Sequence, residues 1–370
     1  MTASTSPRPP ERTGQGPRRP AIQAMLEARS IALVGASPRP GTFGQRMTDE
    51  VTRSPASPRV YLVNPKYARI GERQCYPSLA DLPGPVDLVL LGVPDAALEQ
   101  QLGLAAQRGD ASAVIFGNAH EDPAGQAAAS PGPVSPIPAS LTPASPGPDL
   151  RGRLADIARS AGMELCGAGC MGFVNVSRGL RAIGYAEPDP LPAGPVALVT
   201  HSGSVFSALL RTRRAIGFTL AVSSGQELVT AAPSYLEYAL GLPETRVLAL
   251  VLEAMRQPGQ LRQVLAAAAG RDIPVVLATA GSSARGRIMV AAHSGALAAA
   301  DGGWEALARA YGQIGLEFSD ASEAAVKGWA SGHEAGAHGR HTYELSDFGL
   351  DADQVRERFG RYLATYDAGT

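Results

Sequence analysis

Between Ser30 and Asn118 four short apolar runs recur, with helix-like stretches between them. They are "SIALVGAS" (30–37), "RVYLVNP" (59–65), "VDLVLLGVP" (86–94) and "ASAVIFGN" (111–118). Each is nearly continuous in aliphatic residues and closes on small, turn-forming or Pro residues, as a parallel strand covered on both faces does. Helical segments fill the gaps around 43–52 and 96–108. Strand and helix alternating at this spacing predict a doubly wound parallel sheet.

The pattern then breaks. Residues 121–149, "EDPAGQAAASPGPVSPIPASLTPASPGPD", are almost entirely Pro, Ala, Ser and Gly. Such a composition cannot bury enough apolar surface to order itself. A helix predicted over 150–161 and the stretch "MELCGAG" resume the alternation, so the segment reads as an insertion within a domain. A second α/β block opens at "GPVALVTHSGSVFSALL" (194–210). Strands are expected at 219–223, 247–252 and 274–278, each followed by a helix. "EPDPLPAG" (187–194) forms the seam. The expected organisation is an arm over 1–20, a first domain over 21–190, a second over 191–332 and a tail over 333–370. In that tail Asp351 and Gln354 make a variant capping box. Val355, Phe359 and Leu363 then share one face of a helix over 351–366, either packed on its own domain or docking a partner.

Composition narrows the class. A chain of 370 residues holds two ordinary domains. A formal net charge of -1 provides no general drive toward nucleic acid or an anionic membrane. No apolar run approaches the ~20 residues that span a bilayer. The first twenty residues, rich in Pro, Arg and Ser, lack the apolar core of a secretory signal. Three cysteines, Cys75, Cys166 and Cys170, make neither a disulfide framework nor a zinc set. These readings describe a soluble, cytoplasmic protein without a metal site.

Candidate chemistry begins at "VGASPRPGTFG" (34–44), between the first strand and the first helix, where a dinucleotide fold places its phosphate loop. The spacing is not GxGxxG, and a plain packing turn is equally open from this motif alone. At the end of the second strand an NAD enzyme carries Asp or Glu for the ribose. This chain has Asn64, Pro65 and Lys66. Lys66 favours a ribose bearing a phosphate, as in NADP or coenzyme A, with a solvated surface lysine as the bland alternative. In "AAHSGALAA" (291–299) His293 stands among small residues, which let a group such as phosphate approach closely.

Taken in order, "GASPRPGTFG", "VYLVNPKY", "CYPSLADLPGPVDLVLLGVP", "GAGCMGFVN", "GPVALVTHSGSV", "LEYALGLPETRVLALVLEAMR" and "AAHSGALA" resemble the NDP-forming acyl-CoA synthetases. That family includes the α subunit of succinyl-CoA synthetase. The resemblance runs from about residue 21 to 330, apart from the insertion. It implies an α/β chain with a Rossmann-like CoA-binding domain followed by a flavodoxin-like ligase domain. Ser37, Arg39, Gly41 and Thr42 would follow the CoA phosphates, and Lys66 the adenosine end. Val93 and Pro94 would line the nucleotide crevice. Cys170 and Asn175 fall in a loop that in the family reads G-P-N-C-x-G-x-x-N, although here Ala168 and Gly169 replace the usual Pro and Asn.

The same resemblance makes His293 a phosphorylated carrier, with Glu253 as the carboxylate that orients its imidazole. Ser202, Gly203 and Ser204, at the start of a helix, would stabilise the phosphate, and His201 before them reads as a local substitution, with an acid-base residue as the alternative. The implied function is synthesis of acyl-CoA from a small carboxylic acid, CoA and ATP through a phosphohistidine. The pattern contains no ATP-grasp domain, so ATP and Mg would come with an ATP-grasp β-type subunit in a hetero-oligomer. Two other readings stay open. A non-catalytic CoA- or acyl-CoA-binding protein is favoured by the altered loop and opposed by His293 together with Glu253. An NADP-dependent oxidoreductase explains Lys66 but neither the second domain nor His293.

Overall fold

The computed structural model describes residues 19–120 and 149–279. Most of the expected arm and of the insertion, His293 and the tail helix lie outside these residues. The first part runs α1 (Ala21–Leu26), β1 (Ser30–Val34), α2 (Phe43–Thr52), β2 (Arg59–Val63), β3 (Arg69–Ile70), β4 (Arg73–Tyr76), β5 (Leu88–Leu91), α3 (Asp95–Arg108), β6 (Ser112–Ile115), α4 (Leu150–Ala161) and β7 (Glu164–Gly167). Its seven strands lie in the order β3-β4-β2-β1-β5-β6-β7. Only β3, antiparallel to β4, departs from the parallel arrangement. This is the doubly wound sheet that the alternation of runs predicts.

Local chemistry fixes the helix ends. Thr42 caps α2 by accepting the Gln45 N–H, and Asp149 caps α4 by accepting that of Gly152. Gly109 and Gly162 end α3 and α4 in the left-handed conformation. Among the described residues no helix is long and apolar enough to cross a membrane.

The chain continues through β8 (Gly172–Asn175), β9 (Leu180–Ile183), β10 (Ala193–Thr200), α5 (Gly203–Leu210), β11 (Phe218–Ser223), α6 (Ala232–Leu240), β12 (Val247–Leu252), α7 (Pro258–Ala269) and β13 (Val275–Thr279). The second sheet has the order β13-β12-β10-β11-β8-β9. Its first four members are parallel; β8 and β9 join antiparallel beyond β11. The sheets therefore divide between β7 and β8, ahead of the 187–194 segment. Two strands that precede that segment already belong to the second sheet.

Side chains alternate between two packed faces. Ile31 and Leu33 of β1 join a core that also holds Val199 of β10 and Tyr235 and Leu236 of α6. Ala32 and Val34 face the opposite way, onto Leu98 and Leu102 of α3 and Leu154 of α4. Leu198 of β10 packs with Phe206 and Leu210 of α5. One apolar core is thus shared by both sheets, and each sheet has a further layer behind it.

A buried ion pair crosses between the two parts. Arg181 of β9 gives Nε–H and Nη2–H to Glu50 Oε2 of α2, at 2.9 and 2.5 Å. The two side chains are 2% and 1% exposed. Two further guanidinium hydrogens reach the carbonyls of Pro188 and Glu187, and Arg53 pairs with the other Glu50 oxygen. Burial pulls the Arg181 pKa down, while Asp189 and Glu187 oppose that pull. Removing one partner leaves an uncompensated charge in the core. Glu50→Ala is therefore expected to lower unfolding stability by about 3–5 kcal/mol. Urea denaturation checks this; a midpoint shift equivalent to less than about 1 kcal/mol would contradict it.

Candidate functional site

Each sheet has a place where neighbouring strands send their chains in opposite directions. In the first sheet it lies between β1 and β5, and in the second between β10 and β12. Crevices outside the carboxyl ends of such strands are where open α/β sheets bind ligands.

At the first crevice the two strand ends almost touch. Gly35 has φ +92°, and a Cβ there would stand 2.2 Å from the Gly92 carbonyl oxygen. A Cβ on Gly44 would stand 2.1 Å from the Gly35 oxygen. Only glycine permits this close turn from strand into helix. The loop is closed by its own bonds. Arg39 N–H donates to Ser37 Oγ (3.2 Å), Thr42 Oγ1–H to the Arg39 carbonyl (2.8 Å) and Arg46 Nη1–H to the Gly41 carbonyl (2.7 Å). Asn64 at the end of β2 holds the loop from the side, giving Nδ2–H to the Ala36 carbonyl at 2.8 Å.

The structure brings most of the expected residues to this edge. Ser37 and Thr42 are half-buried, and Arg39 and Gly41 are exposed. Lys66 is exposed just past β2, and its ammonium makes no ion pair among the described residues. Val93 and Pro94 lead from β5 into α3.

Cys170 and Asn175 are placed differently. Cys170 is buried past the end of β7, three strand positions from β1, with Sγ 3.3 Å from the Ile115 carbonyl. Burial, with the neighbouring Cys166 thiol, pushes its pKa well up, which disfavours the thiolate. Asn175 is 0% exposed. Its Nδ2 hydrogens go to the Leu26 carbonyl and the Tyr238 hydroxyl, both at 2.9 Å, and its Oδ1 accepts the Arg178 N–H. Tyr238 donates in turn to Glu27, and burial together with that carboxylate raises the phenol's pKa. In this structure both residues hold the fold together.

At the second crevice Thr200 pairs with Val251. Ser202 caps α5, its Oγ accepting the Val205 N–H at 3.3 Å. The first amides of α5, at Gly203 and Ser204, lie in the positive end of the helix, where no intrahelical acceptor exists. Glu253 follows β12 immediately and is half-buried. The structure thus puts Glu253 and the segment Ser202, Gly203 and Ser204 on one edge.

Two further residues, His201 and Glu227, complete this edge; the sequence singled out no role for Glu227 and read His201 as a local substitution. His201 is buried; its Nδ1 accepts the Glu253 N–H at 3.1 Å and its Nε2 lies 3.2 Å from Glu227 Oε1. Glu227, with φ +51°, also accepts from Ser224 Oγ (2.8 Å) and from the N–H of Ala232, the first residue of α6 (2.9 Å). A carboxylate two residues after Gly225 in a turn-rich stretch was the available signal, but its partner is another strand's histidine.

Two α/β units in tandem, each opening at a switch point, with a glycine loop in one and a carboxylate beside a helix start in the other, define a two-domain nucleotide-type ligand binder. Comparison with known proteins narrows this. Residues 29–176 match the family model of a CoA binding domain, and residues 193–325 that of a succinyl-CoA ligase like flavodoxin domain. The chain belongs to the NDP-forming acyl-CoA synthetase family.

It is similar to acetate–CoA ligase [ADP-forming] I of Archaeoglobus fulgidus, with 27% identity over 82% of this chain and 40% of that protein. It is also similar to the α subunit of acetate–CoA ligase [ADP-forming] I of Pyrococcus furiosus, with 26% identity over 76% of this chain and 57% of that subunit. The solved dinucleotide-forming acetyl-coenzyme A synthetase 1 of Ca. Korarchaeum cryptofilum, in complex with phosphate and ADP, shares the fold. Its TM-score is 0.64 at 22% identity, over 80% of this chain and 59% of that one. The chain spans less than two thirds of the length of each of these proteins.

The first crevice generates a direct test. Gly35→Ala places a methyl group against the Gly92 carbonyl at an unfavourable φ. It is expected to cost about 2–3 kcal/mol and to weaken CoA binding at least tenfold. Thermal melting and calorimetry with CoA check both, and unchanged CoA affinity would separate this loop from the CoA site.

Proposed function

We propose that this chain is the α-type part of an NDP-forming acyl-CoA synthetase, making acyl-CoA from a carboxylic acid, CoA and ATP with an ATP-grasp β-type partner. The observation that carries this reading is Glu253 beside the start of α5, at a switch point, in a chain whose other switch point lies in a CoA binding domain.

The chemistry follows from the substrates. A carboxylate has no good leaving group, so phosphate from ATP is placed on it to make an acyl phosphate. The CoA thiolate then attacks the acyl carbon, the carbon–oxygen bond to phosphate breaks, and inorganic phosphate leaves. His293 carries the phosphoryl group between the nucleotide and the acid. One ring nitrogen takes phosphorus as ADP departs, and the Glu253 carboxylate accepts the N–H of the other and stabilises the charged ring. The amides at Gly203 and Ser204 and the positive end of α5 offset phosphate charge. ATP and its Mg are held by the partner. Ser37, Arg39, Gly41, Thr42, Lys66, Val93 and Pro94 hold CoA; Cys170 and Asn175, buried where the two sheets meet, support the fold behind that site.

Two measurements test the proposal. With an ATP-grasp partner and Mg-ATP, the chain should acquire an acid-labile, base-stable phosphate, and His293→Asn should abolish it without weakening CoA binding. Glu253→Gln keeps an acceptor oxygen but loses the charge, and should slow labelling by on the order of a hundredfold. Label on the His293→Asn protein would end the catalytic reading and favour a CoA-binding module, which the replacement of the usual Pro and Asn by Ala168 and Gly169 supports. Separately, calorimetry should find CoA binding the isolated chain more tightly than NAD. The reverse order would overturn the assignment of the first crevice.

A further inference from the structure

His201 does something that its place in the strand does not require. In a parallel ladder, a residue's N–H bonds one carbonyl of the neighbouring strand and its own carbonyl accepts the N–H two residues further on. His201 keeps the first half of this pattern: its N–H donates to the Val251 carbonyl at 3.1 Å. The second half is changed. The Glu253 N–H goes to the His201 imidazole, Nδ1, at 3.1 Å. The side chain makes the final rung, and the main chain is released to turn into Ser202 and α5.

The donor is a backbone amide, so Nδ1 accepts and bears no hydrogen. The neutral ring therefore carries its proton on Nε2. That nitrogen faces Glu227 Oε1 at 3.2 Å, in contact though without the alignment of a full hydrogen bond. Ser224 and the start of α6 hold the Glu227 carboxylate in place. His201 is 7% exposed, so the ring has little freedom to swing away. The arrangement runs from the start of α6 through Glu227 and His201 to the backbone of Glu253. It resembles the way a metal-bound imidazole is oriented through its second nitrogen, with a peptide N–H in the place of the metal.

We propose that His201 is a positioning residue: a neutral imidazole in the Nε2–H form that ends the β10–β12 ladder and fixes where Glu253 leaves β12. The consequence for phosphoryl transfer rests on the reading of Glu253 given above; the positioning itself does not. Glu253 must meet a ring brought by another segment, so the direction of its carboxylate is set by the backbone at this rung.

The full-length chain tests this. Nitrogen-15 spectra should show His201 Nδ1 without hydrogen and Nε2 with it. In His201→Ala, amide exchange at Glu253 should accelerate at least tenfold while CoA affinity is unchanged. His201→Asn, whose Oδ1 takes the place of Nδ1, should restore slow exchange. With partner and Mg-ATP, His293 labelling should slow ten- to hundredfold in His201→Ala and recover in His201→Asn. A hydrogen on Nδ1 in the unaltered chain, unchanged Glu253 exchange in His201→Ala, or an Asn variant no better than Ala would overturn the proposal. Should the unaltered chain take up no phosphate, only the reading of Glu253 fails, and the spectra and exchange still decide the role of His201. If His201→Ala does not fold, the spectra of the unaltered chain and Glu253 exchange in Glu227→Gln decide it: unchanged exchange there overturns it.

Discussion

The structure turns on the Arg181–Glu50 pair. Glu50 sits in α2, the helix that starts at the glycine loop, and Arg181 sits in β9, at the edge of the second sheet. Bringing two charges out of water is costly unless every hydrogen of the guanidinium finds an acceptor. Here the carboxylate and the carbonyls of Pro188 and Glu187 take four of its five hydrogens, and the Asp189 carboxylate lies 4.0 Å from Nη1. An arrangement of this kind tolerates little displacement. It ties the helix behind the glycine loop to a strand of the other sheet, and the shared apolar core fills the space between them.

From that anchor the two crevices follow by topology. Strands reverse direction of progress between β1 and β5 and again between β10 and β12. At each reversal two loops diverge and leave room at the carboxyl edge. The first is lined by backbone brought close by glycine, suited to phosphates. The second has an acidic side chain opposite a helix start, suited to a charged ring bearing phosphate. The division of labour in the proposed reaction, one edge for CoA and one for phosphoryl transfer, matches the chemistry of the loops at each edge.

Much of this was legible in the chain. β1, β5 and β6 are continuous aliphatic runs because α-helical layers cover both their faces, and α2 and α4 begin at the polar caps Thr42 and Asp149. The strands β8 and β9 were not legible. They are four residues each and bury Asn175 and Arg181, which look like loop residues until their partners are known. Those partners lie far away: Glu50 is 131 residues before Arg181, and Tyr238 is 63 after Asn175. The same reason hid His201. Beside "SGS" it looks like a local change, whereas its nitrogens meet Glu253 from β12 and Glu227 from the turn after β11. Glu253 stands out in the sequence because a strand's carboxyl end is where an acidic residue draws notice, and because the family pattern carries one there.

The most direct measurement of the central claim is product formation. The chain, combined with an ATP-grasp subunit that co-purifies with it, is supplied with CoA, Mg-ATP and a panel of carboxylic acids, and thioester and ADP are separated by chromatography. The account predicts acyl-CoA and ADP accumulating together in equal amounts over many turnovers for at least one acid; without CoA no thioester forms, and ADP stops at the small amount, stoichiometric with the protein, that phosphorylation of His293 releases. CoA bound tightly by the assembled pair, with no acid yielding thioester or releasing ADP, would contradict it.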